Sequence, residues 1–175
     1  ILAMATAPTF NPNKPSASKV SVRGNRAVTD IYEPGSTSKI MTAAAVIEEG
    51  KLKVNSKITV PPVLVRGGST FNDSEKHGTL RLTFAGVLAK SSNIGTIQAS
   101  EKIGAKTLYS YLKKFGIAEP SGLNFPGESR GLLPALKNWS GTSFPTIAFG
   151  QGLSLNSIQA TSVFATIANG GVRVE

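Results

Sequence analysis

The stretch from Tyr32 to Gly50 constrains the chain most, because it specifies a turn, a helix and a stop in one continuous run. Pro34-Gly35 is a turn signal, and Ser36 falls where a helix N-cap or first-turn residue belongs. Ile40, Ala43, Ala44 and Ile47 recur at helical spacing, which predicts a helix of about fourteen residues with one apolar stripe facing a core. Gly50 follows the last periodic residue, the usual place for a left-handed C-cap.

Ser36 and Lys39 are separated so that they share a helix face, one turn apart. A serine hydroxyl is a poor nucleophile at neutral pH and needs a base within hydrogen-bond reach. Lysine serves as that base only when burial or neighbouring cations lower its pKa. A helix start also offers free backbone N–H groups where an oxyanion would form. Ser-x-x-Lys therefore fits nucleophilic catalysis; read alone, it fits equally a helix cap followed by a solvated lysine.

The 175 residues suffice for one domain with a sizeable core, and 40% hydrophobic against 17% charged content is globular. No apolar run approaches a membrane span, and no signal peptide is visible. The absence of cysteine excludes disulfides and thiolate metal sites. A net charge of +9 favours anionic partners, but the basic residues are dispersed, with no run beyond Lys113-Lys114. A solvated basic surface is the simpler reading, and no nucleic-acid motif supports the other.

Along the chain, Ile1 to Pro8 reads as a strand entering a Pro- and Asn-rich loop, and Lys19 to Asp30 as irregular. Lys57 to Val60 reads as a strand, Gly67 to Gly78 as a polar loop, and Leu80 to Lys90 as a buried helix. Helices are expected over Ile94–Ile103, Lys106–Phe115 and Asn156–Ala168, with a new strand starting at Val172-Arg173-Val174. Pro120, Pro126, Pro134 and Pro145 argue against long regular elements between Ile117 and Phe149. A chain that starts and ends within strands is expected to be part of a larger domain.

Ser91-Ser92-Asn93 lies between two of these helices, with Ser92 or Asn93 as the cap of the second. Ser91 could relay a proton from Lys39, and Asn93 could bind a substrate carbonyl and hold the lysine. Ser-x-x-Lys followed by Ser-x-Asn matches two of the three motifs of penicillin-binding proteins and serine β-lactamases. The likeness extends in order through Glu33-Pro34-Gly35-Ser36-Thr37, His77-Gly78, Lys90-Ser91-Ser92-Asn93-Ile94-Gly95 and Phe115-Gly116. It continues through Leu123-Asn124-Phe125-Pro126-Gly127-Glu128, Trp139, Phe149-Gly150-Gln151-Gly152 and Ile167-Ala168-Asn169-Gly170-Gly171. The chain thus resembles the transpeptidase domain of class B penicillin-binding proteins, the actinobacterial septal type in particular.

The resemblance implies an α/β (α+β) fold, an antiparallel sheet plus a helical subdomain, with residues 1–175 forming the N-terminal portion of the transpeptidase domain. It implies that Ser36 attacks the penultimate D-alanine carbonyl of a peptidoglycan stem peptide and that β-lactams acylate the same serine. Lys39 would be the base, Ser91 and Asn93 would complete the proton network, and the Ser36 N–H would form half of the oxyanion hole. No cofactor or metal is implied. The expected partners are stem peptides, β-lactams, cell-division proteins and the remainder of the same polypeptide, on the extracytoplasmic face of the membrane. The Lys-Thr-Gly motif, the membrane anchor and the non-catalytic domain are absent from the sequence, so the fragment alone is not expected to turn over substrate.

Three rivals share parts of this pattern. A class A β-lactamase needs a deacylating glutamate; Glu119-Pro120-Ser121-Gly122-Leu123-Asn124 carries one residue too many, and Ser92 stands where that class has aspartate. A D-Ala-D-Ala carboxypeptidase differs only in the acceptor, and a non-catalytic β-lactam-binding scaffold would keep the site without turnover. Asp73, Glu75 and His77 could be read as a metal cluster, but a single histidine in a polar loop is more simply structural.

Overall fold

The computed structural model describes residues 1–173. Its centre is helix α2 (Lys39–Glu48), which follows a short helix α1 (Arg26–Thr29), strand β1 (Ile31–Tyr32) and a 3₁₀ turn over Gly35–Ser38. The 3₁₀ turn and α2 together supply the helical run expected from the sequence, and Gly50 adopts a left-handed conformation just beyond its end.

The burial of α2 differs from the single stripe expected. Met41, Ala43, Ala45 and Val46 are all buried, whereas Ile47 is 46% exposed. The reason is that α2 is covered from two sides. One cluster joins Met41 to Leu108, Leu112, Ile117, Ile147, Leu153, Leu155 and Val163. The other joins Ala43 and Val46 to Val60, Phe71, Phe84, Val87, Ile94, Ile97 and Phe149. A helix covered on several faces shows apolar residues nearly all round, and no one-sided pattern identifies them.

Among the described residues the strands pair antiparallel in three separate two-stranded ladders. Strand β2 (Lys57–Val60) pairs with β5 (Leu80–Thr83), β3 (Leu64–Arg66) with β4 (Ser69–Phe71), and β1 with β6 (Leu155–Asn156). The remaining α-helices are α3 (Phe84–Ala89), α4 (Asn93–Ser100), α5 (Gly104–Lys114), α6 (Ser143–Ala148) and α7 (Ser157–Ala168), joined by loops and short 3₁₀ turns.

Several expectations are corrected. Leu80 to Thr83 is a strand, not the start of a helix: Leu80 and Leu82 alternate with Arg81 and Thr83, and Thr83 then caps α3 by accepting from Gly86 N–H. The supposed polar loop after Gly67 begins with a hairpin turning on Gly67-Gly68, both at positive φ as a tight two-residue turn requires. Ile1 to Pro8 forms no strand; Ile1 is 72% exposed and the segment is unpaired among the described residues. Val172 and Arg173 are not in a strand, and Val174 lies outside the described residues. Proline-containing α6 was not expected, yet Pro145 sits in its first turn, where a missing N–H costs nothing.

Candidate active site

Ser36 lies in the 3₁₀ turn rather than at a capping position, with its side chain exposed. The Lys39 N–H donates to Ser36 O at the end of the turn, so Lys39 opens α2 one turn after Ser36. The turn is anchored to the loop after α6. Gly35 N–H donates to Gly150 O at 2.9 Å, Thr42 Oγ1 to Ala148 O at 2.7 Å, and Gly152 N–H to Glu33 Oε1 at 2.9 Å. Ser38 Oγ donates to Gly35 O and Thr37 Oγ1 to Pro34 O, which stiffens the turn from within.

Lys39 is 2% exposed, and its ammonium donates to Ser91 O at 2.5 Å and to Ser91 Oγ at 3.1 Å. Burial lowers its pKa from the ordinary lysine value to about 8, against a smaller opposing pull from the Asp73 carboxylate. A lysine with that value is neutral in roughly one molecule in ten at pH 7. Among the described residues its hydrogen bonds go to Ser91, and none joins it to Ser36 Oγ or to Asn93.

Ser91 adopts φ +52°, a left-handed conformation that is costly for a residue with a Cβ. This bend ends α3 and aims both Ser91 oxygens at Lys39. Ser92 is the cap of α4, its Oγ accepting from Gly95 N–H. Asn93 opens α4 and donates through Nδ2 to Asn72 O at 3.0 Å, so it is held by the preceding loop and not by Lys39. The structure thus joins Lys39 to Ser91 directly and sets Ser36 one turn before Lys39.

Replacing Ser91 with glycine removes the hydroxyl and also relieves the backbone. The left-handed conformation is worth about 1 kcal/mol to glycine, comparable to the lost hydrogen bond. Ser91→Gly is expected to fold with a melting temperature close to that of the wild type while its penicillin acylation falls sharply. Thermal melting and acylation measured on the same sample check this.

Asp73 and His77 escaped the sequence reading as parts of the site. Asp73 Oδ1 accepts from Ile94 N–H at 2.9 Å, and Oδ2 meets His77 Nε2 at 3.0 Å. Burial alone would raise the Asp73 pKa, but hydrogen bonds from Ile94, Ser92, His77 and Asn93 hold it below the usual value. Glu75 is exposed, and among the described residues no group of three or more His, Cys, Asp or Glu could hold a metal ion. Glu119 is paired with Lys113.

The described residues thus set an exposed serine one turn before a buried lysine, a second serine on that lysine and an asparagine at the next helix start. Residues 1–175 match the family of penicillin binding protein transpeptidase domains. The chain belongs to this family. It is 42% identical to penicillin-binding protein PbpB of Mycobacterium tuberculosis, over 99% of this chain and 26% of that protein. It is 34% identical to peptidoglycan D,D-transpeptidase FtsI of Escherichia coli, over 98% of this chain and 29% of that one. Penicillin-binding protein 3 of M. tuberculosis, solved with aztreonam and with ampicillin, superposes with a TM-score of 0.90 at 41% identity. That match covers 95% of this chain and 37% of the other. The shared fold bears out the expected helices and antiparallel strands of the transpeptidase class.

Proposed function

We propose that this chain is the acylation half of a serine D-Ala-D-Ala transpeptidase that cross-links peptidoglycan. The observation that carries this reading is the buried Lys39, poised near neutrality and gripped by Ser91 one turn after Ser36. Neutral Lys39 takes the Ser36 hydroxyl proton as Oγ attacks the penultimate D-alanine carbonyl of a stem peptide. The tetrahedral oxyanion faces the Ser36 N–H at the helical start. As the intermediate collapses, the proton passes from Lys39 through Ser91 Oγ to the departing D-alanine amine, leaving an ester on Ser36. The amine of a neighbouring stem peptide then attacks that ester, and Ser36 is released with a new amide cross-link formed. Asn93 keeps its amide oxygen for the substrate backbone while Asn72 holds its nitrogen.

β-Lactams enter the same path by opening their ring on Ser36, in line with the aztreonam and ampicillin complexes of the mycobacterial relative. The remainder of the polypeptide supplies the third motif with its carboxylate contacts and second oxyanion N–H. The protein works on the extracytoplasmic face of the membrane beside cell-division proteins; among the described residues no helix is long and apolar enough to cross a membrane. The pH profile of penicillin acylation tests the role of Lys39. Acylation by the full-length protein is expected to rise with pH and level off above about 8, where Lys39 is neutral. A rate independent of pH across that range would contradict it.

A further inference from the structure

We propose that Asp73, clamped by His77, is a positioning residue of the acylation site, fixing the start of α4 and so the Ser91 oxygens that grip Lys39. The inference rests on the proposed acylation function and adds two residues to it.

The Asp73 carboxylate lies in the loop between β4 and β5, about twenty residues before the junction it holds. One oxygen takes the Ile94 N–H at 2.9 Å, and the neighbouring Ser92 and Asn93 help to lower the carboxylate's pKa. It therefore holds the start of α4 through Ile94. A carboxylate is well suited to this place, where the first N–H groups of a helix have no partner inside it. Asn93 is tied to the same loop through Asn72 O, so loop and junction move together. Ser91, with its left-handed bend, directly precedes this clamp.

His77 sets Asp73 in turn. Its Nε2 contacts Asp73 Oδ2 at 3.0 Å and its Nδ1 contacts Gly78 O at 2.5 Å. Both neighbours are acceptors, so both contacts become hydrogen bonds when each ring nitrogen carries a proton. The Gly78 carbonyl contact, and then the Asp73 carboxylate, raise the pKa of His77 accordingly.

The same carboxylate reaches Lys39 electrostatically. The Asp73 carboxylate raises the Lys39 pKa against the larger lowering by burial, and helices α3 and α4 carry no charged side chain of their own. The exposed Glu75 and Lys76 on the Asp73 loop, and Lys90 after α3, resolve no comparable effect on it. Removing the Asp73 charge therefore makes Lys39 easier to deprotonate, a change that a purely structural cap would not produce.

The test uses the full-length protein as wild type, Asp73→Asn, Asp73→Ala, His77→Gln and Ser36→Ala. The readouts are the rate of acylation by a fluorescent penicillin from pH 6 to 10, and hydrogen-exchange protection of the Ser92 to Gly95 amides. Asp73→Asn keeps an acceptor for Ile94 N–H but loses the charge, so its acid limb is expected to move to lower pH with the amides still protected. Asp73→Ala is expected to lose amide protection and to acylate about 10- to 100-fold more slowly, as misplaced reacting groups do. His77→Gln, which keeps one donor, is expected to fall between Asp73→Ala and wild type. Folded Asp73 variants with wild-type rates and an unmoved acid limb would overturn the proposal, whether or not the amides open. A folded wild-type protein that takes no label would instead remove the acylation function. In that case amide protection decides the placement role: lost in Asp73→Ala it stands, kept it falls.

Discussion

Gly150→Ala is expected to destabilise the protein by about 3–5 kcal/mol and to cut penicillin acylation at least 100-fold. Gly150 has φ +96°, a region open to glycine and strained for alanine. A Cβ there would also stand 2.0 Å from Gly35 O and 2.2 Å from Ser38 Oγ. Both atoms belong to the rigid turn that carries Ser36, and Gly35 N–H is itself bonded to Gly150 O. Neither neighbour is the loose end of a long side chain, so the turn must shift and Ser36 with it. Gly152 provides the control. It also has a positive φ, +75°, but a Cβ there meets nothing nearer than 3.7 Å. Gly152→Ala is therefore expected to show only the backbone cost, about 1–3 kcal/mol, and a much smaller loss of acylation. Denaturant midpoints and acylation rates of the two variants check the contrast.

Lys39→Met is expected to separate stability from chemistry in the opposite sense. Methionine fills most of the lysine volume without its charge. The depressed pKa means that the folded state disfavours the charged lysine at neutral pH, and this cost grows smaller as pH rises from about 8 towards the ordinary lysine value. Relief of that cost, on the order of a few kcal/mol, is offset by the Ser91 oxygens left without a donor, about 1–3 kcal/mol. Lys39→Met is thus expected to fold with stability at pH 7 equal to or above that of the wild type. Its acylation is expected to fall about 10²- to 10⁴-fold, the range for loss of a positioned base. Thermal melting at pH 7 together with acylation kinetics checks both halves. A variant that unfolds, or one that acylates normally, would contradict the role given to Lys39.

What the sequence made legible follows the range of the interactions involved. Pro34-Gly35, Gly50 and the Leu108, Leu112 and Phe115 stripe are local signals, and they place α2 and α5 correctly. Ser36, Lys39, Ser91 and Asn93 stand out in the sequence by their spacing, and the structure brings Lys39 and Ser91 into direct contact. The contacts among them were less so. Asn93 was expected to hold Lys39, whereas its side chain is committed to Asn72, and Lys39 rests on the Ser91 backbone as well as its hydroxyl. Asp73 and His77 were noticed in the sequence only as a loop landmark and a possible metal cluster, because the Asp73 contact joins a polar loop to a helix start well beyond it in sequence. The same holds for Gly150, which reads as a loop glycine until the turn it touches is in view. Leu80 to Thr83 failed for a different reason: a short alternating strand runs without a break into an apolar helix, and only the Thr83 cap marks the boundary.

The most direct test of the central claim is acylation of the full-length protein by a fluorescent penicillin, followed by intact mass and peptide mapping. A single adduct on Ser36, absent in Ser36→Ala and persisting for hours, is the predicted result. A folded protein without label, or with label on another residue, would contradict it.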